Sequence, residues 1–242
     1  MSYLKKMYYK ACKENFTQLG FVRKKDNIVR VVNDVMQNFC IHVFHGGYSC
    51  NVEFGVIPLC SRIKKDDVTL GLCPGHIRAF EGKWDSYEYD KKSEESMDAC
   101  VNEIIEQMKK YLIPYFDKSC DCASAYQELC KFEMSAWKSI LMHDYRKFCM
   151  ALKSGDYDLA IAHLKAKEEL DIKGYKTYKV SEGFPADIKR ARLKRIKELQ
   201  KMIVHIENRD DVFIKNFISE NETYSLESLQ ACKVPVVRAG AM

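Results

Sequence analysis

The sequence predicts an α+β fold, an antiparallel β-meander covered by helices and followed by an all-helical carboxy-terminal region, and three observations carry that prediction. Residues 28–57 alternate side chains at the strand period on either side of a Gly46-Gly47 turn. Apolar stripes at helical spacing flank this stretch on both sides. From Cys122 onward no strand run is evident, only helical patterns. A sheet with one apolar face needs a cover, and the flanking helices are the simplest source of one.

Taken in order, residues 2–18 predict a helix. Ser2 is its cap, Leu4, Met7, Tyr8 and Ala11 form its stripe, and Gly20 stops it. Ile28–Val32 forms a first strand before the Asn33-Asp34 turn. In the second strand Phe39, Ile41 and Val43 alternate with Cys40, His42 and Phe44; in the third Val52, Phe54 and Val56 alternate with Asn51, Glu53 and Gly55. Glycine takes positive φ without steric cost, so His45-Gly46-Gly47-Tyr48 reads as the hairpin turn. Pro58–Asp90 is irregular, with one short strand at His76–Phe80 and Trp84 closing one end of the core. Ser93 caps a long helix with Glu94 and Glu95 in its first turn, where the dipole favours acids. Its stripe, Met97, Val101, Ile104, Met108, Leu112 and Tyr115, is the candidate cover for the sheet. Pro114 lacks an amide hydrogen, so this helix should end or kink near Ile113.

The order so far is a helix ending in LGF, a basic strand, two strands around a GG turn ending in NVEFGV, a HIR strand, a tryptophan and a helix ending in LIPYF. Over about residues 3–118 this resembles the bacterial domain of unknown function 4304 family, through Gly20, Phe21, Gly55, His76, Arg78, Trp84, Pro114 and Phe116. The resemblance implies an α+β domain without an assigned reaction, and it supplies no functional residue. Residues 1–118 are therefore expected to form a self-contained domain and 119–242 a helical extension.

In the extension, Phe132, Trp137, Ile140, Leu141, Tyr145, Phe148 and Leu152 outline one or two helices, and Ser154-Gly155-Asp156 is a turn. The stretch that follows resembles the second half of a tetratricopeptide repeat at Gly155, Tyr157, Ala160 and Leu164. It departs at Lys167, where the repeat wants a small residue, and an ordinary helical hairpin is the simpler reading. Gly174–Pro185 is expected to be a linker, with helices from Pro185 to about Glu207 and from about Asp211 to Ser219. The tail from Lys233 has no pattern and is expected to be mobile.

The chain has 242 residues, long enough for a sizeable core. Its 39 Lys and Arg against 34 Asp and Glu give a net charge of only +5, too mild by itself to imply nucleic acid. The amino terminus lacks the apolar run of a secretory signal, and no stretch approaches the ~20 apolar residues needed to span a bilayer. A cytoplasmic location follows. The 11 cysteines are odd in number and scattered, so reduced, mostly buried thiols are expected.

Signatures of nucleotide binding, serine hydrolysis and zinc proteolysis are missing. Thiolates and imidazoles suited to zinc occur in Cys60, Cys73 and His76, in Cys40, His42, His45 and Cys50, and in Cys120, Cys122 and Cys130, but none has the paired spacing of a finger. No metal or cofactor is expected. A metal nuclease would need two acids to hold magnesium and a lysine to steady water; Asp66 or Asp67 with Glu81 and Lys83 is similar to that short pattern. Charge is most concentrated between Pro185 and Lys201, with seven basic residues against two acidic, an excess equal to that of the whole chain. Within residues 188–201 Arg190, Lys194, Lys197 and Lys201 form one stripe, opposite an apolar one of Ile188, Ile196, Leu199, Met202, Ile203 and Ile206 that runs past the end of the basic stretch. These four are the candidate binding residues, for a protein partner first and for nucleic acid only weakly and without sequence preference, since no aromatic side chain interleaves them. The reading is a non-catalytic binding module; its alternatives are the nuclease using Asp67, Glu81 and Lys83 and a nucleic-acid binder using the basic helix.

Overall fold

A computed structural model describes residues 1–44, 46–70, 75–83, 85–131, 140–180 and 186–237. Among the described residues no helix is long and apolar enough to cross a membrane. The fold is α+β, with the sheet in the first half and helices after it.

Helix α1 (Tyr3–Phe16) begins where the Ser2 hydroxyl accepts from the Lys5 amide, and it buries Leu4, Tyr8, Cys12 and Phe16, one residue per turn. Gly20, at φ 84°, ends the run that follows. Strands β1 (Val22–Lys24), β2 (Asn27–Val32), β3 (Val35–Val43) and β4 (Ser49–Pro58) then form the antiparallel meander. The three expected strands are present, and β1 is one more. Short strands β5 (Gly75–His76) and β6 (Tyr87–Glu88) both pair with β4. The strand expected over His76–Phe80 is therefore only two residues long; Ile77–Glu81 is a 3-10 turn that places Phe80 on Phe54.

Register defines the two faces of the sheet. Ile28, Phe39 and Phe54 lie abreast on one, with Ile41, Val52 and Val56 beside them. Over this face pack α1, α3 (Glu94–Gln107) and α4 (Ile113–Lys118), and Phe16, Phe21 and Phe116 gather around Phe39 at ring separations of 5.2–6.4 Å. All six residues of the expected α3 stripe are buried. The Ser93 hydroxyl caps α3 by accepting from the Ser96 amide. Before Pro114 the helix widens into a π-turn over Met108–Leu112, the break expected where a proline removes a hydrogen bond.

Polar side chains tie α4 to the sheet. Arg30, only 6% exposed, donates to Gln37 Oε1 (2.6 Å), the Leu19 carbonyl (3.1 Å) and Asp117 (2.8 Å), while Gln37 donates to the carbonyls of Phe116 and Ser119.

The extension follows as α5 (Cys122–Lys131), α6 (Ile140–Lys153), α7 (Tyr157–Val180), α8 (Ala186–Glu207) and α9 (Asp211–Ala231). Gly155, at φ 80°, turns α6 into α7, and Ala160 and Leu164 are buried between them.

Four expectations are corrected. The sheet is buried on both faces: Val29, Val31, Met36 and Ile57 point away from α1 and join Leu59, Ile63, Val68 and, from the extension, Leu229 and Val234. Gly174 does not open a linker; α7 runs through it to Val180, and the Arg192 guanidinium packs on its bare backbone where a Cβ would stand. Helix α9 continues twelve residues past Ser219. The tail is not patternless, since Val234 is 5% exposed and β7 (Val236–Val237) pairs in parallel with Val31 and Val32 of β2. Trp84 and residues 238–242 lie outside the described residues.

Candidate interaction surface

Helix α8 starts as part of an antiparallel pair with α7. At 1.5 Å per residue the 24 residues of α7 extend ~36 Å. Along the far part of the pair, from Ile172 to Thr177 and from Ala186 to Arg195, no described side chain is buried. These two stretches form an arm. Its surface carries Lys173 and Lys176 from α7 and Arg190 and Lys194 of the basic stripe of α8, which Lys197 and Lys201 continue along the helix past the arm.

Arg190, Lys194, Lys197 and Lys201 are all exposed, and among the described residues the ion pair of Lys194 is with Glu198, at 3.9 Å. On the opposite side Ile196, Leu199, Ile203 and Ile206 are buried and Met202 half-buried, as amphipathic spacing requires. Ile188 departs from that stripe, at 42% exposed, and Leu193 is exposed beside it. The arm therefore presents apolar side chains among its charges.

Its root is held by a buried ionic group that the sequence reading passed over. Asp171, with no exposed surface, accepts from Lys167 Nζ at 2.7 Å and from Arg195 Nη2 at 2.6 Å. Burial pushes the Lys167 ammonium below its ordinary pKa; Arg195 and Arg192 add to this, and Asp171 opposes it. Two cations, Lys167 and Arg195, thus share one carboxylate at the root of the arm. Lys167, the residue that breaks the repeat pattern, is thus the inner part of this clamp. Its signal was an i, i+4 acid and base on the buried side of a helix.

The other candidate sets do not converge. Asp67 accepts from the Lys64 amide at 2.8 Å in the first turn of α2 (Lys65–Leu70), and its neighbour Val68 packs on the second sheet face. Glu81 and Lys83 pair with each other at 3.4 Å beyond Phe80, on the first face. The sheet separates them. Around the hairpin Cys40 and His42 point to the second face, while Cys50, opposite Val43, points to the first; His45 lies outside the described residues. His76 pairs across from Glu53 and Cys60 lies beyond the far end of β4, and Cys73 is also outside the described residues. Cys122 is buried near the Asp34 carbonyl, whereas Cys130 is exposed on α5. Among the described residues no group of three or more His, Cys, Asp or Glu has the arrangement to hold a metal ion.

The second sheet face carries a further polar set, with His42, Glu53 and His76 on neighbouring strands. Burial raises the Glu53 pKa, a shift that His42 opposes. Burial lowers that of His76, helped by Arg78 and opposed by Asp85.

No family model, curated protein or solved structure matches this chain.

Proposed function

We propose that this protein is a non-catalytic cytoplasmic binding module whose α7–α8 arm docks an acidic protein partner. The observation that carries the reading is the stripe of Arg190, Lys194, Lys197 and Lys201, exposed on a helix pair whose root is fixed by Asp171. A fixed root lowers the ordering cost of binding, and a patch of one sign steers an oppositely charged partner. Exposed Leu193, on the flank of the stripe, gives that partner an apolar foothold, which a bare phosphate chain would not use. Membership of the domain of unknown function 4304 family is part of the proposal; Gly20, Phe21, Pro114 and Phe116, which support it, serve turns and packing, so it adds no catalytic group.

The test is quadruple charge reversal at the four stripe residues, with cross-linking and affinity purification of both forms from the source cell. A protein captured by the native chain and lost by the reversed one is the expected result. Capture of nucleic acid instead, with affinity falling at a log-log slope of about −0.9 per phosphate contact on duplex DNA, would favour the nucleic-acid reading. Magnesium-dependent cleavage lost in Glu81→Ala would favour the nuclease.

A further inference from the structure

Ten cysteines are described, all as free thiols, and seven are buried. Two groups of thiols meet: Cys60 lies beside Cys122 and Cys149, and Cys50 Sγ of β4 and Cys100 Sγ of α3 lie 3.9 Å apart under the first sheet face, a pair with no third thiol to compete. We propose that Cys50 and Cys100 are an oxidation site, forming a reversible disulfide when the protein meets hydrogen peroxide.

The geometry asks for little movement. A disulfide needs its sulfurs at about 2.05 Å, so the gap of 3.9 Å closes by small rotations of two side chains that already face each other. The pair is also polarised. A thiolate at Cys100 is stabilised by the hydrogen bond it receives from the Cys50 thiol, which lowers its pKa and raises that of Cys50. Either sulfur can donate this hydrogen bond; with the charge on Cys100, Cys100 is the nucleophile and Cys50 the resolving group. The Cys100 thiolate attacks one peroxide oxygen, the O–O bond breaks, and Cys100 sulfenic acid and hydroxide form. Cys50 sulfur then attacks the Cys100 sulfur, the S–O bond breaks, and the Cys50 proton leaves with that oxygen as water; the hydroxide takes the proton first lost by Cys100. Two thiols and one peroxide give one disulfide and two waters.

Access runs under a thin cover. Tyr87 of β6 is register partner to Cys50, and the Tyr89 amide donates to the Tyr48 carbonyl at 3.0 Å. Tyr87 and Tyr89 are themselves part of the core and Arg78 lies over the Tyr87 ring, so the oxidant enters on local opening of this short segment, which costs less than unfolding the sheet.

The experiment treats the reduced full-length chain with hydrogen peroxide, alkylates the remaining thiols and maps peptides. The expected result is a linked Cys50–Cys100 peptide lighter by two hydrogens, with a higher Tm that dithiothreitol reverses. Cys50→Ser leaves a sulfenic acid at Cys100 that dimedone traps, whereas Cys100→Ser shows none at Cys50. Tyr89→Ala speeds the reaction. Peptide mapping of the native chain decides the matter even where a serine variant fails to fold. Oxidation confined to Cys130, Cys120 and Cys232, or a first disulfide joining Cys60 to Cys122 or Cys149, overturns the proposal.

Discussion

The sheet and the arm use charge in opposite ways. Under the first sheet face Arg30 has a partner for each of its three donor nitrogens and Gln37 uses both ends of its amide, so the polar groups there are part of the packing. On the arm Lys194 has only a 3.9 Å neighbour. Buried polar groups cost several kcal/mol when left unmet, and solvated ones cost almost nothing. Fixed charge in the sheet therefore specifies a structure, whereas the charge of the α8 stripe stays in solvent. Three perturbations probe that difference within the fold, and a fourth probes the arm alone.

The largest effect is expected from cutting the chain after residue 118. Met36, Ile57, Leu59 and Ile63 then lose Leu229 and Val234 from their cluster. The Ile63 amide also loses the Ser225 hydroxyl at 2.7 Å, which in turn donates to the Leu59 carbonyl at 2.6 Å. Exposure of four such side chains, at up to about 1.5–3 kcal/mol each, would take much of the 5–15 kcal/mol that holds an ordinary domain. The fragment, which the sequence alone reads as a self-contained domain, is expected instead to bind hydrophobic dyes and melt without cooperativity. A sharp calorimetric transition in the fragment would show that the first face alone sustains the domain.

That dependence also explains what could be read from the sequence. Helices α1 and α3 were legible because a serine cap and a stripe are local signals, both present within one stretch of chain. The burial of Val29 and Val31 was not, because its cause lies about 200 residues away at Leu229 and Val234. Strand β7 is two residues long and owes its existence to the free stretch of β2 beyond β1, which no pattern in the tail records. Gly174 misled through its low helix propensity, a handicap of about 1 kcal/mol that the close approach of Arg192 outweighs. At the candidate site the exposed stripe followed directly from 100° spacing. The clamp beneath it did not, since Arg195 reaches Asp171 from another helix.

The next effect concerns that clamp. Asp171→Ala leaves Lys167, its side chain 7% exposed, without its carboxylate. Removing one partner of a buried ion pair costs about 3–5 kcal/mol, and the lower end applies because Arg195 remains half in water. Chemical denaturation should show the loss, and Lys167→Met combined with Asp171→Leu should recover most of it. Equal loss in the double variant would mean that the charges, rather than the shape, hold the arm.

A smaller effect is expected with pH, and its sign follows from two imidazoles. Burial, with Lys147 nearby, holds the His163 pKa below its ordinary 6.5, and His76 is lowered as well. A depressed folded pKa contributes stability that is complete above 6.5 and is lost as pH falls through the folded value. Glu53 runs the other way: its raised pKa favours the fold below its ordinary 4.5, an advantage lost as pH rises through the folded value. Stability should therefore decline from pH 7 toward 5. His163 meets the Tyr126 hydroxyl of α5 at 2.9 Å, so His163→Gln, which keeps an acceptor there, should flatten the curve. An unchanged curve would place the titration at His76 or elsewhere.

The smallest effect on stability is expected where the effect on binding is greatest. Reversing Arg190, Lys194, Lys197 and Lys201 alters four exposed side chains, and substitutions of that kind usually shift stability by about 0.5 kcal/mol or less. The i, i+4 contact of Lys194 with Glu198 becomes a like-charge pair, costing about 0.2–0.5 kcal/mol. The melting curve should barely move, and partner capture should disappear. Unfolding of the reversed chain would place the stripe in the packing, beside Arg30 and Gln37. Unchanged melting with unchanged capture would move the interface away from the arm, leaving its charges only to solvate a long pair of helices.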